Sequence, residues 1–320
     1  MIRYITRRIL LMIPIVLGIS LIVAVFIHLA PGDPARIKLG SEATEEEIQE
    51  LRDEMGLNDP FFVRYLRFLA NALRGDFGKS YYNQRAVVSE ILQRFRYTLV
   101  IASLSVTLSV CIGIPLGIFA ATHQYTIMDN AAIALALVCV SMPSFFFALL
   151  LIRFFCLTLG ILPPAGVATW QGWILPTISL ALGFAATITR QMRSNMLEVI
   201  RQDFIITARA KGQSEFMVKY KHALKNAIIP IIMTVGGIFG MALGGAMIAE
   251  IIYSVPGLGQ YTLSGLTGRD YPVIQGSTFF MSLIFSIMML LIDLGFAFID
   301  PRIRSQYARR RKKVEAVSKT

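Results

Sequence analysis

Six long apolar runs constrain the fold of this chain more than any other feature of its sequence. A helix needs about 20 mostly apolar residues to cross the hydrocarbon core of a bilayer. Inside that core each backbone amide and carbonyl must be satisfied within the protein, so a single run crosses as a helix. The runs cover approximately residues 9–30, 98–121, 130–158, 173–190, 227–250 and 276–299. The sequence therefore predicts an all-α membrane protein with six transmembrane helices.

The composition agrees with this assignment. Hydrophobic residues make up 55% of the 320 residues and the mean hydropathy is +0.61, whereas soluble domains are about 45 to 50% apolar with glycine counted. Proline interrupts three runs, at Pro115, Pro143 and Pro176, which membrane helices tolerate. The first run is longer than the core of a cleaved signal peptide and no Ala-x-Ala site follows it, so we expect it to be retained.

The distribution of cations predicts the orientation. Arginines before the first run and a cationic tail after the last one place both termini in the cytosol by the positive-inside rule. These residues are Arg3, Arg7, Arg8, Arg302, Arg304 and the cluster 309–313. The basic segment 190–226 lies on the same side, whereas the outer connections 159–172 and 251–275 contain one Lys or Arg, Arg269. Topology thus accounts for most of the net charge of +11, and no nucleic-acid partner is predicted.

The outer connection 31–97 is the one sizeable polar region, and it carries helix signals of its own. Thr44 and Glu47 form a capping box that opens a short helix. Asp59 followed by Pro60 predicts the start of a second helix. The predicted stops of the two helices are Gly56 and Gly75. We expect these helices to pack on the membrane bundle as a small cap.

A glycine divides the basic stretch between the fourth and fifth runs. The apolar residues before it recur at intervals of three and four, which predicts one amphipathic helix. They are Leu197, Ile200, Phe204 and Ala208. Gly212 follows the last turn and is a usual helix stop, because glycine accepts a left-handed conformation. With a second helix predicted from about Ser214, the segment becomes a helix, a glycine turn and a helix on the cytosolic face.

The sequence Thr-Ala-Arg-Ala-Lys-Gly at residues 207–212 resembles the coupling loop of ABC-importer permeases. The general form of that loop begins Glu-Ala-Ala, where this chain has Ile206, Thr207 and Ala208, and the form found here looks like the peptide and nickel branch. The resemblance implies that the loop docks into separate ATPase subunits, which would bind ATP and magnesium, while this chain binds no cofactor. The ATPase-coupling residues so implied are Thr207, Ala208, Arg209, Ala210, Lys211 and Gly212.

Five further motifs arrive in the order of the same family. They are Pro31-Gly32-Asp33-Pro34, 56–60, 75–78, Pro256-Gly257-Leu258-Gly259 and 269–275. Together they resemble the B-type permeases of dipeptide, oligopeptide, glutathione and nickel importers. The resemblance implies a second similar permease, two ATPase subunits and an extracytoplasmic solute-binding protein, in the plasma (inner) membrane of a prokaryote. Candidates for docking the solute-binding protein are Pro31, Gly32, Asp33, Pro34, Arg269, Asp270 and Tyr271.

These observations predict a non-catalytic permease subunit that imports di- or oligopeptides, with nickel chelates or glutathione as alternative cargo. A secondary transporter would need coupling-ion sites and internal repeats, neither of which we find. A membrane anchor would not need the coupling loop. The predicted boundaries are a cytosolic start at 1–8, a first helix at 9–30, an outer helical loop at 31–97, a permease core at 98–300 with the coupling loop at 191–226, and a basic cytosolic tail at 301–320.

Two features inside the runs are functional candidates. Gly236, Gly240 and Gly244 leave one helix face nearly bare of side chains, which suits either close helix packing or the wall of a pathway. The sequence leaves both open. Glu250 ends the fifth run and Asp293 lies in the sixth. For Asp293 we favour pairing with a neighbouring group over contact with cargo.

No catalytic, cofactor-binding or metal site is predicted. Gly78-Lys79-Ser80 ends like a phosphate-binding loop, but Leu73 stands where that loop needs a glycine. The cysteines and histidines lack metal-ligand spacing. They are Cys111, Cys139, Cys156, His28, His123 and His222.

Overall fold

The computed structural model describes residues 2–40 and 42–299, so the predicted tail at 301–320 lies outside the described residues. The described part contains twelve α-helices, and the predicted all-α class is confirmed. In chain order they are α1 (Ile2–Leu29), α2 (Pro34–Leu39), α3 (Glu45–Glu54), α4 (Phe61–Ala72), α5 (Val87–Thr122), α6 (Ile127–Ser141), α7 (Ser144–Leu151), α8 (Ile174–Ile200), α9 (Asp203–Ala210), α10 (Leu224–Ile252), α11 (Leu258–Gly268) and α12 (Tyr271–Ile299). Short π-helical segments, Ile152–Thr158 and Met217–Ala223, follow α7 and precede α10.

Five helical segments are long and apolar enough to cross a membrane. These candidate spans are Ile5–Leu29, Val87–Thr122, Trp170–Ile200, Met217–Gly244 and Tyr271–Gly295. Each contains most of one predicted apolar run. The length criterion of about 20 residues per crossing therefore locates these five helices correctly.

The third predicted helix is not straight. Its two halves, Ile127–Ser141 and Ser144–Thr158, meet at a bend of 102°. Pro143 accounts for the break, because the residue before a proline is pushed out of the α region, and Met142 is extended with φ −84° and ψ 131°. The described residues thus contain five candidate spans, or six if the bent pair crosses as one. The predicted number of six crossings is the higher of these two counts, and the third predicted run is interrupted at Pro143.

The chain divides into two compact units. Of the described residues, the first is made of those within 2–101, 155–176 and 243–286, and the second of those within 102–154, 177–242 and 287–299. The core of the first unit is a cluster of buried apolar side chains that includes Val16, Val87, Ile91, Leu258, Val273 and Phe279. The first unit contains the predicted outer cap, and the second contains the predicted coupling loop.

The outer cap confirms one predicted helix start and corrects the other. Glu47 N donates to Thr44 Oγ1 at 3.3 Å, and Thr44 N donates to Glu47 Oε2 at 2.9 Å, which is the predicted capping box. Asp59 does not cap α4, because Pro60 occupies the N-cap position. The Asp59 carboxylate instead pairs with Arg67 at 2.8 Å. Both predicted stops are left-handed glycines, Gly56 with φ +65° and Gly75 with φ +79°.

In the second unit, α5 and α8 approach each other closely. A Cβ on Gly113 would lie 2.8 Å from Ala185 O, and a Cβ on Gly117 would lie 2.5 Å from the Cβ of Met192. Small residues permit such approaches between membrane helices. Sequence reasoning did not single out these two glycines, because their spacing acquires meaning only from the position of α8.

Candidate functional site

The predicted coupling loop connects α8 to α10 in the second unit. α8 continues to Ile200, and α9 begins anew at Asp203. Gln202 between them is extended, with φ −79° and ψ 151°, so the prediction of one continuous helix over 197–208 is wrong. Asp203 suits the start of a helix, where an acid interacts favourably with the N-terminal dipole.

Gly212 ends α9 through its backbone conformation. Its φ is +76°, in the left-handed region that was predicted for it. Gly212 N donates to Arg209 O at 2.9 Å, and Gln213 N donates to Ala208 O at 3.4 Å. A Cβ at this position would meet no atom within 4 Å. The turn therefore requires glycine for its φ angle and not for lack of space.

Two polar contacts tie the turn to the next helical segment. Arg209 Nε donates to Glu215 Oε1 at 2.7 Å, and this hydrogen bond lowers the pKa of the Glu215 carboxyl. His222 Nε2 and Gln213 Oε1 lie 2.5 Å apart. Both partners of the ion pair are well exposed, so it orients the turn more than it stabilises the fold.

The coupling loop has a buried side and an exposed side. The buried apolar residues are Ile205, Ala208, Val218 and Ala223. The exposed apolar residues are Phe204, Ile206, Phe216, Met217 and Tyr220. Of the six predicted coupling residues, Ala208 is buried and the other five are exposed. Exposed apolar side chains beside Arg209 and Lys211 form a surface suited to a protein partner.

Two outer motifs that are far apart in the sequence meet in the first unit. Gly32 has φ +104°, and a Cβ there would lie 2.9 Å from Cζ of Arg269. Arg269 is itself left-handed, with φ +56°, at the C-cap of α11. Asp33 accepts a hydrogen bond from Ala35 N at 3.0 Å and pairs with Arg52 at 2.7 Å. Asp33 therefore starts α2 and fixes the loop, a role that the sequence analysis did not assign.

The residues after Arg269 are buried. Asp270 is 3% exposed, and its Oδ2 accepts hydrogen bonds from the Ser80 hydroxyl and, at 3.1 Å, from Tyr81 N. Burial raises the pKa of the Asp270 carboxyl, an effect that the Ser80 and Tyr81 hydrogen bonds oppose. Tyr271 is buried next to Ile27. Of the seven docking candidates, Pro31 and Gly32 are exposed. Docking of a solute-binding protein at this face stays a prediction.

Glu250 joins α10 to α5 and to the turn before α11. It is fully buried. Its Oε1 accepts a hydrogen bond from the Thr98 hydroxyl at 2.5 Å, and its Oε2 accepts one from Gln260 N at 3.0 Å. A Cβ on Gly257 would lie 2.1 Å from Glu250 Cδ. The acid and the Pro-Gly-Leu-Gly motif, which the sequence analysis treated separately, thus form one structural clamp.

The three glycines of the predicted stripe on α10 have different surroundings. A Cβ on Gly236 would lie 2.7 Å from Ile292 Cγ1, so Gly236 serves close packing on α12. Gly240 is buried, whereas a Cβ on Gly244 would meet no atom within 4 Å. Asp293 is half-buried in α12 and is not without a partner. Roles of the stripe and of Asp293 in a pathway stay predictions.

A buried ion pair that the sequence analysis missed joins α6 to α8 in the second unit. Asp129 is fully buried, and its carboxylate accepts two hydrogen bonds from Arg193, at 2.6 Å and 2.7 Å. The same carboxylate accepts a hydrogen bond from Tyr125 N at 3.0 Å. The sequence signal for this pair was the position of Asp129 in the first turn of α6, a helix that the Thr126 hydroxyl caps. The partner on α8 had no such signal.

A metal site was not predicted. In the described ranges 2–40 and 42–299, no three His, Cys, Asp or Glu side chains gather into a group that could hold a metal ion.

Two family models together match most of the chain. Residues 113–305 match the family described as "Binding-protein-dependent transport system inner membrane component". Residues 1–102 match the family described as "Binding-prot-dependent transport system membrane comp, N-term". The first match includes the coupling loop and the second includes the outer cap.

Similar proteins cover nearly the whole chain. The glutathione transport system permease protein GsiC of Salmonella paratyphi A is 39% identical over 95% of this chain and 99% of its own length. The protein of the same name from Escherichia coli K12 is 38% identical over the same shares. Among solved structures, one of the MetNI methionine ABC transporter has a TM-score of 0.56 at 19% identity, over 66% of this chain and 96% of the matched chain. An amino acid ABC transporter has a TM-score of 0.53 at 20% identity, over 65% and 94%. These two structures support the fold alone.

Proposed function

Because the chain belongs to the family of binding-protein-dependent inner-membrane transport components and is the permease subunit of an ABC importer, we propose that its cargo is a short peptide of the glutathione class. The chain is a multi-pass membrane protein and a non-catalytic subunit, which works with ATPase subunits and a solute-binding protein. The cargo in question is the solute that the solute-binding protein delivers to this permease.

One observation carries the cargo proposal. Relatives that are 38 to 39% identical along 95% of the chain are glutathione permeases. Glutathione is a tripeptide, so this finding favours the glutathione alternative within the predicted peptide class. It supports di- or oligopeptide import as the second candidate and gives no support to nickel chelates.

The coupling loop supplies the proposed link to ATP hydrolysis. We infer that its exposed apolar and cationic surface, centred on Arg209 and Lys211, docks into a groove of the ATPase subunits. ATP and magnesium bind to those subunits and not to this chain. A second, similar permease completes the pathway, and both termini of this chain face the cytosol, as the arginines before α1 indicate.

Uptake by whole cells tests the cargo. Cells that lack their other peptide importers would express this permease with its partner subunits, and uptake of labelled glutathione, a dipeptide, a pentapeptide and a nickel chelate would be compared. We expect glutathione to enter fastest. A matched strain whose ATPase subunits cannot hydrolyse ATP should take up none of the four compounds above background.

The outcomes separate the candidates. Faster uptake of the dipeptide or pentapeptide would replace glutathione by the second candidate. ATP-dependent uptake of the nickel chelate alone would overturn the peptide class altogether. Unlabelled glutathione should compete with labelled glutathione for uptake. If oxidised glutathione does not compete, the importer excludes peptides of that larger size.

A further inference from the structure

α4 of the outer cap has three faces with different chemistry. The inward face packs on α1 and α12 through aromatic side chains, which are Phe61, Tyr65 and Phe68. The polar face lines a cavity of about 330 Å³ with Arg64, Arg67 and Asn71. The third face is apolar and outward, and its most exposed residues are Phe62 (71%), Leu66 (61%) and, at the C-cap of the helix, Leu73 (86%). Such segregation is the pattern of an amphipathic helix at a boundary between water and an apolar phase.

Contacts place α4 beside the apolar lengths of two spans rather than beyond their ends. The Tyr65 hydroxyl donates to Leu17 O at 3.2 Å and lies 2.9 Å from Ser20 Oγ. Leu17 is the middle residue of the candidate span Ile5–Leu29. On the other side, the rings of Phe68 and Phe279 are 5.9 Å apart, and Phe279 lies within the span that begins at Tyr271. α4 therefore reaches the depth of the hydrocarbon-facing residues of α1 and α12.

An apolar cavity continues this outward face. It measures about 300 Å³ and is lined by side chains of α1, α4 and α12, among them Met12, Ile13, Leu69, Leu73 and Leu283. On α1, lining residues of the cavity are also exposed at the surface, among them Ile9 (44%), Ile13 (49%) and Leu17 (40%). The apolar face of α4 is therefore continuous with the surface of a membrane-spanning helix.

From these contacts we propose that α4 is embedded in the hydrocarbon region of the membrane, with Phe62, Leu66 and Leu73 against lipid acyl chains and one acyl chain in the cavity between α1, α4 and α12. Acyl chains fit a cavity without polar lining, since a polar ligand would lose its hydrogen bonds there. Arg64 and Arg67 lie on the opposite side of the helix, toward water.

Spin-label accessibility in the assembled transporter tests this proposal. Nitroxide labels would be placed on single cysteines at Phe62 and Leu66, with Arg67→Cys as the matched control on the polar face of the same helix. The native Cys111, Cys139 and Cys156 would first be replaced by serine in a transporter that retains uptake. After reconstitution into lipid nanodiscs, collision with oxygen, which concentrates in acyl chains, would be compared with collision with a water-soluble nickel chelate.

We expect oxygen to dominate at positions 62 and 66 and the nickel chelate to dominate at position 67, with the oxygen-to-nickel ratio several-fold higher on the apolar face. Nickel collisions at 62 and 66 equal to those at 67 would show a water-exposed face and overturn the proposal. Protection of 62 and 66 from both reagents would show that a protein subunit covers α4, which also overturns it. Two label positions guard against a local disturbance at one of them.

Discussion

At the scale of single residues, glycines in this chain are required for two physically different reasons. Gly212 is required because its φ of +76° is left-handed, although the space around its Cα is open. Gly257 has an ordinary φ of −88° but lies against the Glu250 carboxylate, where a Cβ would collide. The sequence predicted the first reason, because a helix stop is a local signal. The second depends on a contact with another helix, and no local pattern reveals it.

The first prediction concerns Gly212. Asparagine and aspartate both enter the left-handed region more readily than other residues with a Cβ, for which it costs roughly 1–2 kcal/mol. Gly212→Asn and Gly212→Asp therefore differ mainly in charge. We expect Gly212→Asp to insert normally and to transport far more slowly than Gly212→Asn, because its carboxylate would face the docked ATPase subunit. Uptake rates normalised to the amount of permease in the membrane measure this difference.

A third variant separates strain from charge. Gly212→Val adds a β-branched side chain without charge and should impair transport through backbone strain alone. Transport by Gly212→Asp at the wild-type rate would contradict the assignment of this turn to ATPase coupling. Equal loss in the aspartate and asparagine variants would show that charge has no part in it.

At the scale of helices, the sequence predicted elements whose signals are local. Thr44 and Glu47 form the predicted capping box, and Gly56 and Gly75 end the two cap helices as expected. The failures occur where two signals compete. Asp59 was assigned as a cap, but Pro60 takes the N-cap position and leaves Asp59 to pair with Arg67. Likewise the apolar spacing over 197–208 suggested one helix, although Gln202 breaks it.

The second prediction concerns the ion pair that joins α6 to α8. Asp129→Asn would leave the Arg193 guanidinium, whose side chain is 24% exposed, without its bidentate partner. Removing one member of a buried pair costs about 3–5 kcal/mol, with the low end expected here because Arg193 retains some contact with solvent. We expect a clear drop in the thermal unfolding midpoint of the purified transporter. The midpoint would be measured as the temperature at which heating abolishes the size-exclusion peak of the transporter.

The double variant Asp129→Asn with Arg193→Gln provides the control. Since it removes both charges, it should recover part of the lost stability, as pairs of neutral polar groups avoid an uncompensated buried charge. Arg193→Lys keeps the charge but loses the two-pronged geometry and should fall between the wild type and Asp129→Asn. If Asp129→Asn unfolded at the wild-type temperature, the pair would have no structural importance.

At the scale of the whole molecule, the sequence predicted the fold class and the family but not the contacts between distant segments. The outer motifs at Gly32 and Arg269 were both assigned to one face, yet their direct contact follows only from the packing of α1, α2 and α11. The same packing buries Asp270 and Tyr271, which a sequence reading placed among exposed docking candidates. Apolar length and cation bias act on each segment separately, so they predict crossings well and tertiary neighbours poorly.

The last prediction tests the orientation that the cations imply. A cysteine for labelling from outside should lie on the outer cap and be exposed. Glu46 in α3 meets both needs, whereas Ser80 is 4% exposed and its hydroxyl is bonded to Asp270. Cysteines at Glu46 and at Ser318, which lies outside the described residues, would be introduced separately after replacing the native cysteines. In intact cells without an outer membrane barrier, a membrane-impermeant maleimide should label Glu46→Cys and leave Ser318→Cys unlabelled until the membrane is permeabilised.

The bent pair of α6 and α7 makes this measurement decisive, because five crossings would put the two sites on the same side. Labelling of Ser318→Cys in sealed cells would therefore mean that the pair does not cross, and the positive-inside assignment of the tail would have to be abandoned.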